Sequence, residues 1–179
     1  MQGLHVVVTG GNGALGGAVV AHLEARGATV HVPDIPTVDL TNEAAAVAYY
    51  ASLPPLWASI QLAGGFQMAP VLETSLADFE GQWKLNAVTC FLSCREAVRS
   101  IRGSGRGGRI VNVAARPVLV PVASMTAYTA SKAGVAAMTR ALAVELTGDR
   151  ILVNAVLPSI IDTPANRASM HKADHAAWP

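Results

Sequence analysis

The sequence predicts an α/β fold, with a single doubly wound parallel sheet and helices on both faces. Short apolar runs alternate with longer alanine-rich segments along the chain. The apolar runs are continuous, which is typical of strands that are buried on both faces. Strands that alternate with helices are joined by right-handed crossovers and align in parallel. The length of 179 residues is that of one domain, so we expect a single domain over residues 1–179.

Glycine, proline and polar capping residues divide these segments into predicted elements. We predict strands over residues 4–8, 28–32, 56–62, 109–113 and 151–157. We predict helices over residues 14–26, 42–52, 75–101 and 126–146, the third in one or two pieces. Gly27 follows the first helix, and Thr41 or Asn42 is placed to cap the second. The glycine- and arginine-rich residues 102–109 are predicted to form a surface turn.

Composition and charge exclude several classes of protein. Apolar residues make up 51% of the chain and charged residues 14%, which excludes a disordered chain. The formal net charge of +1 gives no reason to expect nucleic acid or a membrane surface as a partner. No apolar stretch reaches the about 20 residues that a transmembrane helix needs. Cys90 and Cys94 are expected to be free thiols in the reducing cytoplasm.

A glycine-rich turn lies between the first strand and the first helix. It reads Gly10-Gly11-Asn12-Gly13-Ala14-Leu15-Gly16. Small residues at this place allow a pyrophosphate to approach backbone N–H groups at the start of the helix. We therefore predict a Rossmann-type dinucleotide site whose ligands include Gly10, Asn12, Ala14, Leu15 and Gly16. The alternative is a turn that is merely tight; a triphosphate loop is disfavoured because no Gly-Lys-Ser/Thr follows.

Asp34 stands at the end of the second predicted strand. A carboxylate there accepts hydrogen bonds from both ribose hydroxyls of an adenosine and repels a 2′-phosphate. No arginine or lysine lies near it in the sequence to receive that phosphate. The prediction is therefore NAD rather than NADP, the alternative being a turn aspartate between Pro33 and Pro36.

Tyr128 and Lys132 are four residues apart on a predicted helix. Residues at this spacing lie on one face, so the phenol and the ammonium can meet. A neighbouring ammonium favours phenolate and is expected to lower the pKa of Tyr128 towards a value useful for acid–base catalysis. A solvated pair is the alternative, and the position just after the strand at 109–113 favours the catalytic interpretation.

Taken together, these motifs resemble those of the short-chain dehydrogenase/reductase family. The resemblance runs from about residue 4 to residue 164, in order and with suitable spacing. It rests on Thr9-Gly10 to Gly16, Ala63-Gly64, Asn86, Ile110-Val111-Asn112-Val113 and Tyr128-x-x-x-Lys132. Several motifs in series are far more specific than any one of them.

The resemblance implies a role for each matching residue. Tyr128 would be the catalytic acid/base, and Lys132 would bind the nicotinamide ribose and tune Tyr128. Asn86 would hold the long helix and a water of the proton relay. Asp39 would lie by the adenine, Ala63 and Gly64 would border the cofactor, and the segment from Pro158 to Thr163 would cover the nicotinamide.

The sequence departs from the family pattern at several positions. Ala14 replaces the middle glycine, and the Asn-Asn-Ala-Gly motif reads Gln61-Leu62-Ala63-Gly64. The helix that the family has between its second and third strands is missing. Ala115 stands 13 residues before Tyr128, where the family has its catalytic serine. A carbonyl substrate would lose one of two hydroxyl partners there, and the nearby Ser124 and Thr126 are expected to be loop or cap residues.

These departures make the chain similar to the dihydropteridine reductases within the family. The similarity rests on the glycine pattern, Ala63-Gly64-Gly65 before an aromatic, the absent serine and the run from Leu157-Pro158 through Asp162-Thr163-Pro164 to Met170. Asn86, however, follows the general family. A quinonoid pterin takes a hydride and a proton and leaves no alkoxide to be held between two hydroxyls, which agrees with Ala115.

The function expected from the sequence is therefore that of an NAD(H)-dependent short-chain oxidoreductase acting on a small carbonyl, alcohol or quinonoid dihydropterin-like molecule. A non-catalytic nucleotide-binding sensor or scaffold is the alternative, and a sugar-nucleotide epimerase is disfavoured by the chain length. The resemblance implies a homodimer or homotetramer. It also implies that a chain ending at Pro179 lacks part of the C-terminal region after about residue 165. No metal site is expected, since His171 and His175 have no third ligand.

Overall fold

A computed structural model describes residues 1–171 and 174–178, without the side chains of residues 165, 169 and 177. The strands are β1 (His5–Thr9), β2 (Thr29–His31), β3 (Ala58–Gln61), β4 (Gly108–Val113) and β5 (Ile151–Val156). The helices are α1 (Ala14–Glu24), α2 (Glu43–Ala51), α3 (Leu76–Trp83), α4 (Thr89–Ser104), α5 (Thr126–Glu145) and α6 (Pro164–Ser169). Within this part of the chain, no helix is long and apolar enough to cross a bilayer.

All five strands are parallel and pair in the order β2-β1-β3-β4-β5. Thr9 pairs with Gln61, Gln61 with Asn112, and Asn112 with Ala155. These residues form one row, so the carboxyl ends of four strands meet at the same edge of the sheet. The direction of winding reverses between β1 and β3, which is where open α/β sheets bind ligands. The predicted fold class is confirmed.

β1 is buried on both faces, as its continuous apolar run predicted, whereas β5 leaves one face exposed, with Leu152 and Val156 53 and 49% exposed. Val7 packs into a core with Leu56, Ile101 and Ile110 on the side of α2, α4 and α5. Its neighbours on β1, Val6 and Val8, belong to a second core on the side of α1. Successive residues of a strand point to opposite faces of the sheet, so the three consecutive valines of β1 contribute to both cores.

The long helical segment consists of α3 and α4 joined by a π-helical turn over Lys84–Val88. Ser75 and Asp78 form a capping box at the start of α3. At the other end, the prediction of a turn over residues 102–109 was wrong for its first three residues, because α4 continues to Ser104. The helix ends there since Gly105 adopts a left-handed φ of 66°, which glycine tolerates without steric cost.

The segment from residue 32 to residue 42 contains no helix or strand, but α2 connects β2 to β3. The expected absence of a helix between the second and third strands is therefore wrong, whereas the helix predicted over residues 42–52 is present. Asn42, one of the two predicted caps, begins α2 by accepting a 3.1 Å hydrogen bond from the Ala45 amide. Because no further strand intervenes, β2 is the outer strand on this side of the sheet.

Candidate functional site

The glycine-rich turn between β1 and α1 is built on backbone contacts that exclude side chains. Gly10 has a φ of 66°, and a Cβ placed on it would lie 2.8 Å from the Ala63 amide nitrogen. A Cβ on Gly16 would collide with the Gly10 carbonyl oxygen. No side chain caps α1, whose N-cap is Gly13. The turn therefore leaves the first amides of α1 open to an anionic ligand.

A groove of about 280 Å³ opens between this turn and the loops after β2 and β3. It is lined by Gly10, Gly13, Pro33, Asp34, Ile35, Val38, Asp39, Leu40, Thr41, Leu62, Ala63, Gly64, Leu85 and Thr89. The structure thus brings together five of the predicted cofactor residues: Gly10, Asp34, Asp39, Ala63 and Gly64. Leu85 and Thr89, which were not predicted from the sequence, also line the groove; Leu85 directly precedes Asn86 and Thr89 follows it by three residues.

Asp34 lies just after β2 and links the loop that follows this strand to the glycine-rich turn. Its carboxylate accepts hydrogen bonds from the Asn12 amide at 3.3 Å and the Ile35 amide at 2.9 Å. Asp39 accepts from the amide and hydroxyl of Thr41 at 2.8 and 2.7 Å. These hydrogen bonds, first that of the hydroxyl, hold the pKa of Asp39 below its ordinary value. Its carboxylate therefore stays ionised beside the groove.

The floor of the groove is fixed by Thr9, the last residue of β1. Its buried hydroxyl accepts hydrogen bonds from the Leu62 and Ala63 amides, both at 3.1 Å. These two bonds hold the loop after β3 against the glycine-rich turn. The close approach of Gly10 to Ala63 depends on this contact.

Asn86 lies in the π-helical turn and joins that turn to the loop after β3 and to α5. Its Oδ1 accepts from the Gly65 amide at 3.1 Å. Its Nδ2 lies 3.0 Å from the Gly65 carbonyl oxygen and 3.2 Å from the Ser131 hydroxyl. A Cβ on Gly64 would lie 2.5 Å from Asn86 Oδ1 and 3.4 Å from Lys132 Nζ. The end of the groove is therefore framed by an amide and an ammonium, with room for glycine only.

Tyr128 and Lys132 project from the first two turns of α5. The Lys132 ammonium is buried and donates a 2.9 Å hydrogen bond to the Val113 carbonyl. Burial lowers the pKa of Lys132. The Tyr128 ring packs edge-on against Phe66, with ring centroids 4.9 Å apart.

The predicted lowering of the Tyr128 pKa is wrong for this conformation. Burial raises the pKa of Tyr128 instead, because the phenolate loses solvation. The ammonium that was expected to oppose this effect is directed at the Val113 carbonyl. The phenol is accordingly protonated at neutral pH.

Ala115, at the place of the family serine, is 5% exposed, and its backbone is extended. The next residue, Arg116, donates its amide to the Pro158 carbonyl at 2.9 Å. That bond holds Pro158 close to Ala115, and Thr163 caps α6. Ser124 sits in a loop, as expected, with a left-handed φ of 61°. Thr126 is the first residue of α5 and Met125 is the N-cap, so the expectation of a loop or cap residue is wrong for Thr126.

The remaining candidates lie outside this arrangement. Cys90 and Cys94 are buried free thiols with sulfurs 4.0 Å apart. A ring nitrogen of His175 lies 2.9 Å from the Met170 carbonyl oxygen. Over residues 1–171 and 174–178, no three histidine, cysteine, aspartate or glutamate side chains are grouped to hold a metal ion.

Comparison with known proteins adds independent observations. A family model described as short chain dehydrogenase matches residues 34–174. D-threitol dehydrogenase of Mycolicibacterium smegmatis is 32% identical over 164 residues, which are 92% of this chain and 57% of that protein. A 3beta-hydroxysteroid dehydrogenase of Mediterraneibacter gnavus is 32% identical, covering 94% and 61%. Cyclopentanol dehydrogenase of Comamonas testosteroni is 32% identical, covering 91% and 65%.

The chain thus spans less than two thirds of the length of each of these relatives. Among solved structures, that of gox2181 superposes with a TM-score of 0.91 at 25% identity, covering 96% of this chain and 77% of that one. A short-chain type dehydrogenase/reductase from Mycobacterium ulcerans gives 0.89 at 21% identity, covering 99% and 74%. At 21% identity, the similarity to the Mycobacterium ulcerans protein shows a shared fold only.

Proposed function

The chain belongs to the short-chain dehydrogenase family, and from that premise we propose that it is an NAD(H)-dependent oxidoreductase. Its substrate is a small carbonyl compound or alcohol, or a quinonoid dihydropterin-like molecule. One observation carries the proposal. At the end of the groove, Asn86 Oδ1 and Lys132 Nζ both lie close to Gly64, and Tyr128 lies one turn before Lys132 on the same helix.

The residues of the groove fit a dinucleotide. Gly10 and Gly16 let the turn pack closely against Ala63 and against itself, where a Cβ would collide, and the uncapped start of α1 presents amides to a pyrophosphate. Asp34 lines the groove just after β2, where it can accept hydrogen bonds from both hydroxyls of the adenosine ribose. When bound, the nicotinamide supplies or accepts the hydride. NAD is proposed over NADP because Asp34 and Asp39 both put negative charge beside the groove.

Tyr128 is the proposed proton donor in the direction of reduction. Burial raises its pKa, so the phenol carries its proton at neutral pH and can release it to the reduced substrate. Lys132 is proposed to hold the nicotinamide ribose, since its ammonium already lies 3.4 Å from the position of a Gly64 Cβ. Asn86 keeps the loop after β3 and α5 in place around them.

Ala115 favours the quinonoid dihydropterin-like substrate over a simple ketone. Reduction of a ketone places negative charge on one oxygen, and a second hydroxyl donor stabilises that charge. A methyl group cannot donate. A quinonoid pterin is reduced without an isolated alkoxide and has less need of that donor.

The same residue favours a second function, that of a non-catalytic dinucleotide-binding sensor or scaffold. A protein that only binds the dinucleotide would keep the groove and have no use for the serine. Asn86 and Lys132 meet at Gly64, and Tyr128 lies one helical turn before Lys132; the retention of all three residues favours the enzyme.

NADH oxidation, followed at 340 nm, separates these functions. The full chain is assayed with quinonoid dihydropterin and with a panel of ketones that includes cyclopentanone, with NADPH in parallel. Turnover with one of these substrates that is lost in Tyr128→Phe supports the enzyme. Tight NADH binding without turnover by any of them supports the sensor.

The substrate class is tested by Ala115→Ser. With a ketone, the added hydroxyl is expected to raise kcat about 10-fold or more, because it stabilises the developing alkoxide. With quinonoid dihydropterin, kcat should change little. A large gain with the pterin would contradict the link between the alanine and a pterin-like substrate.

A further inference from the structure

A second polar cluster is buried away from the groove, in the core between α2, β3 and α4. Tyr50 lies on α2, Ser59 and Gln61 lie on β3, and Ser93 lies on α4. The four side chains are between 0 and 4% exposed. We call them the core polar cluster. Ser59 and Gln61 are two residues apart on a strand, so they share the face that packs against the two helices.

Part of the core polar cluster is satisfied by its own hydrogen bonds. The Tyr50 and Ser59 hydroxyl oxygens are 3.2 Å apart. The Gln61 amide nitrogen donates to the Ser59 hydroxyl at 2.9 Å. Burial raises the pKa of Tyr50, and the neighbouring polar groups of Ser59, Ser93 and Gln61 oppose that rise. All three therefore surround the Tyr50 hydroxyl.

Two atoms of the core polar cluster have no hydrogen-bond partner among the described residues: Gln61 Oε1 and Ser93 Oγ. Reversing the Gln61 amide does not remove the problem, because the nitrogen would then take the place of the unpaired oxygen. A buried polar group without a partner costs about 1–3 kcal/mol. Native proteins rarely leave such groups unpaired, and small buried polar sites are commonly filled by water.

We propose that the core polar cluster binds one water molecule, which donates to Gln61 Oε1 and accepts from the Ser93 hydroxyl. The Tyr50 hydroxyl is its third partner. Three bonds are the usual number for a buried water. Because Gln61 is the last residue of β3, the water fixes the strand directly before the floor of the groove. The proposal does not depend on the proposed function.

A crystal structure of the wild-type protein, at a resolution that orders internal waters, tests the site directly. We expect a density peak about 2.7–3.2 Å from both Gln61 and Ser93. Oxygen-17 relaxation dispersion in solution should detect the same water as a long-lived one. The absence of a peak in well-ordered density at this place would overturn the proposal.

Thermal unfolding of Ser93→Ala gives a second, independent test. If water is bound, the variant removes one of its partners, and Tm should fall by roughly 2–4 °C. Ser100→Ala on the same helix calibrates this loss, since the Ser100 hydroxyl accepts a 3.1 Å bond from the Leu56 amide. An unchanged or higher Tm for Ser93→Ala would mean that the hydroxyl is unpaired and the site dry. Should the variant fail to fold, the wild-type density decides.

Discussion

Burial shifts the pKa values of Tyr128 and Lys132, which lie on one face of α5, in opposite directions. Burial raises the pKa of the phenol and lowers that of the ammonium. Both shifts favour the neutral form. In the proposed reduction a neutral phenol is the form required, because it supplies the proton.

Replacement of Tyr128 by phenylalanine should lower kcat by roughly 10²–10⁴, while NADH affinity, measured by fluorescence titration, stays nearly unchanged. The kcat/KM for reduction by the wild type should fall as pH rises through the pKa of the phenol, since the donor is then deprotonated. Lys132→Ala is expected to weaken both turnover and NADH affinity. Wild-type turnover in the phenylalanine variant would mean that another group delivers the proton.

Asp34 determines the proposed choice of cofactor. Its carboxylate is oriented by the Asn12 and Ile35 amides, so it faces the groove as a fixed acceptor. Titration of the full chain should give a lower Kd for NADH than for NADPH. Asp34→Ala should narrow that difference by removing the charge that repels a 2′-phosphate. Equal Kd values for the two cofactors in the wild type would contradict the assignment.

Residues of the candidate site could be predicted from the sequence where a local rule applies. Gly10, Asp34 and Lys132 were found because strand ends and helical spacing place them. The raised pKa of Tyr128 could not be predicted from the sequence, because it depends on how residues such as Phe66 bury the Tyr128 ring. Leu85 reaches the groove through the π-helical turn, which no short-range pattern predicts.

At the scale of elements, α1 offers a matched pair of glycines. A Cβ on Gly16 would meet the Gly10 carbonyl oxygen, whereas a Cβ on Gly17 finds only ordinary contact, 3.9 Å from the Gly11 carbonyl oxygen. Gly16→Ala should therefore lower Tm by several degrees and abolish NADH binding, because the turn must open. Gly17→Ala should leave binding intact and stabilise the protein by about 0.5–1 kcal/mol. Equal behaviour of the two variants in thermal melts and NADH titrations would refute the steric role of Gly16 in the turn.

The bounds of most elements could be predicted to within about two residues because glycine, proline and caps mark them. The end of α4 was predicted at residue 101, three residues too early, because the glycine- and arginine-rich residues that follow, including Gly103, are typical of a turn. The helix continues through Gly103 because Ile101, which lies just before it, is fully buried and holds the segment against the core. Burial of this kind depends on distant residues, so local composition does not reveal it.

At the scale of the whole molecule, α3 and α4 present apolar side chains that the chain leaves uncovered. Leu76, Trp83 and Phe91 are 72, 43 and 48% exposed. We propose that these helices and α5 pair with a second copy across a two-fold axis, as the family resemblance implies.

Light scattering at micromolar concentration should give the mass of a dimer or tetramer. Phe91→Glu should shift that mass towards the monomer, since a charge would be buried in the interface. Ile35→Glu is the matched control, because Ile35 is 67% exposed but lies in the loop after β2. A monomeric wild type would contradict the assembly.

The strand order also determines when each strand can find its partners while the chain is synthesised on the ribosome. The partner of Val6 on one side is Val30, but its partner on the other side is Ala58. At about 5–20 residues per second, the second edge of β1 waits several seconds for that partner to be made. Meanwhile α1 can shelter Val6 and Val8, whereas Val7 faces a layer whose helices are translated later. β1, an interior strand of the finished sheet, is thus the first to be made, and one of its edges stays unpaired until β3 has been translated.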